Sequence, residues 1–126
     1  MAADLADPHG THRTCTDAVL AAIDEEKKAG AEWLSDCRVW MYRGAWAEWE
    51  IEDIEMCVPM SPEELHEKRN AILRHQSQME GAPFLGNDDR LFWQRAEDRN
   101  RATAKQYDDL GLACYEAMEA FVEYKF

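Results

Sequence analysis

Apolar residues recur at positions 15, 18, 19, 22 and 23, between a turn-forming Asp7-Pro8 with Gly10 and a breaking Gly30. This spacing predicts an amphipathic helix over about residues 11–28, with Thr11 as its N-cap and the Cys15, Ala18, Val19, Ala22, Ile23 stripe facing the core. Val39, Trp40, Met41 and Tyr42 form a strand-like run over about 38–42, broken by Gly44. Ile54, Met56 and Val58 alternate with Asp53, Glu55 and Cys57, which predicts a second strand over about 52–58 ended by Pro59. Ser61-Pro62-Glu63-Glu64 is a helix start, with a Ser cap, a Pro in the first turn and Glu three residues on. The helix it opens runs to about Ser77, with Leu65, Ala71, Ile72 and His75 on its inner side. After a loop over 81–86, a third helix spans about 87–110, with Phe92, Ala96, Arg99, Thr103 and Tyr107 on one face and Gly111 at its end. Tyr115, Met118, Phe121 and Val122 fall at helical spacing in the tail, where Tyr124 and Phe126 fit a terminal strand instead.

Two clear strands are too few for a stable sheet, and the helices present more apolar surface than two strands cover. The pattern therefore predicts an α/β chain of three or four helices and a short sheet. Residues 1–126 are expected to form the later half of one α/β domain. The earlier half is expected upstream in a longer polypeptide or from a partner chain, and a homo-oligomer stays open.

Composition narrows the partners. The 126 residues carry a formal net charge of −12, which argues against nucleic acid and anionic membranes as general partners. No apolar run is long enough to span a bilayer. A sugar phosphate stays compatible, because a few local arginines suffice, and Arg13, Arg69 and Arg74 are candidates. Cys15, Cys37, Cys57 and Cys114 form no CxxC pair and read as reduced, mostly buried thiols of a cytoplasmic protein.

Candidate chemistry concentrates in Asp7–Cys15, DPHGTHRTC, where His9 and His12 stand at the mouth of the first helix. Imidazole is the commonest metal ligand and a common acid/base group. Two histidines do not fill a zinc site, so a turn-capping role for the pair stays open. Trp33, Trp40, Trp46 and Trp49 fit either sugar stacking or the packing of a hairpin on helices. The pairs Asp88/Asp89, Glu97/Asp98 and Asp108/Asp109 read as caps and solvated faces. His66 reads as surface and His75 as a satisfied core histidine.

His9-Gly10-Thr11-His12 resembles the second motif, His-x-x-His, of the LmbE-like (PIG-L) zinc-dependent deacetylases that act on N-acetylglucosamine derivatives. Lys68, Ala71, His75, Ser77 and Gln78 match a later K-x-x-A-x-x-x-H-x-S-Q segment, and Glu119-Ala120-Phe121 matches a closing E-A-F. The likeness is strongest to the LmbE-like domain carried by two-domain bacterial glucosamine-6-phosphate deaminases, and spans nearly the whole chain in motif order. It implies a Rossmann-like fold, amino-sugar metabolism, hydrolase chemistry and an amino-sugar phosphate substrate. His12 takes the place of a zinc ligand, and His9 that of the group that stabilises the tetrahedral intermediate. Two departures matter. Gly10 and Thr11 stand where the family has Pro and Asp. The family's first motif, His-Pro-Asp-Asp, which supplies two further zinc ligands and the catalytic base, does not occur here, nor does a deaminase domain. The resemblance thus implies a chain that is inert alone and does not retain zinc by itself. A different class of role is a non-catalytic partner that completes an enzyme through its sheet edge and helices.

Overall fold

A computed structural model describes residues 1–7, 10–81 and 88–126. Among these, four α-helices and four strands form a mixed α/β fold. The strands are β1 (Ala2–Ala3), β2 (Val39–Tyr42), β3 (Met56–Met60) and β4 (Ala117–Tyr124), and the helices are α1 (Thr11–Lys28), α2 (Pro62–Leu73), α3 (Gln76–Gly81) and α4 (Phe92–Asp109). The sheet order is β1-β2-β4-β3. β1 runs parallel to β2, and β4 runs antiparallel to both β2 and β3.

The tail is the largest departure from expectation. Of the two readings its sequence allows it takes the strand, and it lies inside the sheet between β2 and β3 rather than forming a helix. Ala117, Met118, Ala120 and Phe121 are all buried. A strand buried on both faces loses its alternation, and buried pairs at 117/118 and 120/121 imitate a helical repeat. β4 pairs Val39 with Tyr124 on one side and Met56 with Phe121 on the other. With β1 included, the sheet has four strands where two were expected. β3 also lies later than predicted, because Ile51–Asp53 forms a 3-10 turn. Pro59 sits inside β3, which an edge strand tolerates because one row of its backbone groups faces outward.

The core joins Ile23 of α1, Val39 and Met41 of β2, Trp49 and Ala120, with Leu20, Leu34, Ile54, Cys57 and Val122 against them. The expected stripe of α1 does not face it. Thr16 and Ile23 are buried and Leu20 half-buried, whereas Cys15, Ala18, Val19 and Ala22 are exposed. The Thr16 hydroxyl donates to the Ala3 carbonyl at 2.7 Å and fixes α1 against β1.

α2 starts as its sequence predicts. The Ser61 hydroxyl accepts from the Glu64 N–H, and the Glu64 carboxylate accepts from the Ser61 N–H at 2.8 Å. It ends at Leu73, four residues early, and Leu65 is its one buried residue. α4 packs on β4. Its buried line is Arg95, Ala96, Glu97, Asn100, Thr103 and Ala104, rotated from the expected face because α2 and β4 take different sides of it. The chain leaves α4 through Gly111 at φ 77°, a left-handed conformation that glycine adopts without a Cβ clash. No helix of the described residues is long and apolar enough to cross a membrane.

Two outcomes follow for stability. Leu65, 1% exposed, anchors α2, so Leu65→Ala is expected to cost about 2–5 kcal/mol in chemical denaturation. Burial pushes the Tyr107 phenol up to about 12, helped by the Cys57 sulfur 3.3 Å from its hydroxyl, whose thiolate disfavours a second negative charge. A raised folded-state value stabilises the neutral phenol, so this contribution is complete below about pH 10 and is lost as pH rises towards 12. Stability curves of the wild type and Tyr107→Phe should therefore converge in shape below pH 10 and diverge above it, the variant losing less.

Candidate functional site

The carboxyl ends of parallel strands are where α/β sheets place ligands, because loops and helix N-termini gather there. β1 and β2 are such a pair, and the segments that leave them are tied together. The Asp4 N–H donates to the Tyr42 carbonyl at 2.8 Å. The Arg43 guanidinium donates to the Asp4 carboxylate at 3.0 Å and to the Glu48 carbonyl at 2.9 Å, and it lies 3.8 Å over the Trp49 ring. Arg99 of α4 donates to the Glu48 carboxylate at 2.6 Å. The loop after β2 is thereby held between β1 and α4.

α1 opens at this crest. Its N-cap is Gly10 at φ 78°, not Thr11, which is already helical. Asp7, a buried residue, does the capping: its carboxylate accepts the His12 N–H at 2.8 Å. A carboxylate there also complements the positive end of the helix. The bond fixes where the His12 side chain leaves α1. The imidazole meets the Trp46 ring edge-on at 4.9 Å, and Trp46 meets Phe92 at 6.4 Å. His12, the β2 loop and the start of α4 thus form one aromatic row. Gly44 lets the loop turn: a Cβ there would stand 3.3 Å from the Trp46 ring, at a φ of 56°. His9 lies outside the described residues, as does most of the loop expected over 81–86.

Among the described residues no three His, Cys, Asp or Glu side chains come together to hold a metal ion. Asp7 is engaged with the helix backbone, so His12 is the one described candidate ligand at the crest. These residues alone do not fit a zinc shell of three or four donors.

Two later motif residues, Lys68 and Glu119, meet each other, and Glu119 with Asn100 lines a small cavity beside Arg43, Gly44, Glu48 and Trp49 of the β2 loop. Lys68 ion-pairs with Glu119 and donates to the Asn100 side-chain oxygen at 2.7 Å. The Asn100 amide donates to Glu119 at 3.0 Å and to the Met118 carbonyl at 3.1 Å. This network pins α2 and α4 to β4, so these matched residues support the fold. Asn100 had no signal in the sequence, because an Asn inside a helix is conspicuous only once its strand partner is known. Asp7 and Trp46 were equally hidden as a cap and a ring neighbour.

Several expectations need correction. His75 is exposed in the break between α2 and α3, where its N–H bonds Ile72, and is not a core histidine. Cys15 and Cys114 are exposed and Cys37 and Cys57 half-buried; all four are free thiols. Glu97 is buried and takes two bonds from Arg69, at 2.9 and 2.6 Å, rather than facing solvent. That pairing also engages Arg69, while Arg13 and Arg74 are exposed. Arg90 beside Asp88 holds that carboxyl well below the usual range. Trp46 and Trp49 pack at the crest, their indole N–H groups without an acceptor among the described residues, whereas Trp33 is 56% exposed. His66 is on the surface, as expected.

No family model matches the chain, and no solved structure matches it. A glucosamine-6-phosphate deaminase-like protein of Bacteroides thetaiotaomicron is 79% identical over 124 residues, 98% of this chain. The chain spans 19% of that relative's length.

Asp7→Ala should loosen the first turn of α1 and cost about 1 kcal/mol, whereas Asp7→Asn should retain most of the cap. Thermal melts, with the His12 amide exchange rate as a local reading, check this.

Proposed function

We propose that this chain acts within a longer, cytoplasmic, glucosamine-6-phosphate deaminase-like protein of amino-sugar metabolism. In it the chain would form the later part of an LmbE-like (PIG-L) domain and contribute one side of a zinc-dependent deacetylase pocket for an amino-sugar phosphate. The observation that carries this reading is the 79% identity to the Bacteroides protein along 98% of the chain. The placement of His12 at a helix mouth, beside the carboxyl ends of two parallel strands, supports it.

The chain's own residues have defined tasks in this reading. His12 is the metal ligand, set by the Asp7 cap and restrained by the edge of Trp46. His9 is the group that meets the oxyanion. Arg43, Asp4 and Glu48 keep the β2 loop, and so Trp46, in place. The remaining zinc donors and the general base come from outside the described residues. The isolated chain is accordingly inert, since one imidazole does not hold zinc.

The test uses the isolated chain and a chimera of the Bacteroides relative in which this chain replaces its matching 124 residues. The isolated chain with added zinc should release neither acetate from N-acetylglucosamine 6-phosphate nor ammonia from glucosamine 6-phosphate. The chimera should bind zinc and release acetate. His12→Ala in it should remove the metal and lower acetate release by at least about 100-fold, with the melting temperature retained. Chelator-sensitive acetate release by the isolated chain, or undiminished zinc in the His12→Ala chimera, would overturn the reading.

A further inference from the structure

α1 carries more apolar surface than the core uses. With 100° between successive residues, Thr16, Leu20 and Ile23 define the line that faces β1 and the core. Cys15, Val19, Ala22 and Ala18 follow on one flank, and all four are exposed, Val19 at 46%. The other flank is polar, with Arg13, Asp17, Asp24 and Lys28. The helix is therefore apolar beyond its contact over residues 15–22 of this flank, up to Glu26, which closes the strip in the last turns.

That side has a counterpart in the sheet. β1 is the first strand in the sheet order, and its outer edge pairs with no other described strand. β1, α1 and β2 form a parallel crossover unit, which is right-handed in nearly all folds. In a right-handed unit the apolar flank of α1 lies on the side away from β2, above the bare edge of β1. One strand placed beside β1 would cover the edge and the flank together. The opposite edge differs, because β3 carries Pro59, which removes a backbone donor.

We propose that a further strand, carried by the polypeptide of a longer glucosamine-6-phosphate deaminase-like protein outside these 126 residues, extends the sheet at β1 and seats apolar side chains against Cys15, Ala18, Val19 and Ala22. Two observations select this occupant. The Bacteroides relative has about four-fifths of its length outside the matched stretch. A second copy of this chain would bring together two bodies of net charge −12 each. Only the identity of the occupant rests on the proposed function; the edge and the flank stand on geometry.

Cys15 is a built-in reporter, exposed on the flank itself. The isolated chain and the chimera described above are labelled with a thiol reagent, and modification of Cys15 is followed by peptide mass spectrometry. Cys15 should react freely in the isolated chain and at least about tenfold more slowly in the chimera. A second variant avoids reliance on the thiol: Val19→Lys should leave the melt of the isolated chain unchanged and lower that of the chimera. Equal Cys15 reactivity in the two proteins, or an isolated chain that dimerises and thereby protects Cys15, overturns the proposal. A chimera that protects Cys15 but neither binds zinc nor releases acetate supports it while removing the functional reading. An active chimera with a reactive Cys15 does the reverse.

Discussion

The pairing of β4 on both its edges is the constraint on which this structure depends. β2 and β3 are each too short to be stable alone, and β4 hydrogen-bonds with both. Ala117 and Phe121 share one face of β4 with Glu119, and Met118 and Ala120 lie on the other, so both faces are buried. α4 packs on β4, and its Asn100 amide reaches the Met118 carbonyl. Around that bond Lys68 and Glu119 complete a network that spans two helices and the strand. The charges are half-buried, so the network gains from hydrogen-bond satisfaction more than from bare attraction.

The crest at the carboxyl ends of β1 and β2 inherits its order from that frame. Arg43 crosses from the β2 loop to Asp4, and Arg99 reaches the same loop from α4. Trp46 is thereby presented to His12, and Asp7 decides where His12 leaves its helix. The His12 imidazole is thus positioned by parts of the chain far from it in sequence. The chain spans 19% of the length of its Bacteroides relative.

α1 belongs to two surfaces at once. One face closes the core through Ile23, and the neighbouring apolar flank meets solvent. An apolar strip in water on a highly charged chain is a cost that a covering strand would remove.

Local chemistry made much of the chain legible. The capping box at Ser61, the 3.6-residue repeats of α1 and α4, the β2 run and the stop at Gly111 depend on neighbours a few residues away, and each element exists. Tertiary structure alone decided the rest. β4 imitated a helix because partners on both faces erased its alternation. The buried face of α1 differs from its apolar stripe because, among the described strands, the sheet beneath it ends at β1. Asn100 and Glu97 became interior groups because partners distant in sequence satisfy them. Periodicity reports what a segment can bury; only the assembled sheet determines what is there to bury it.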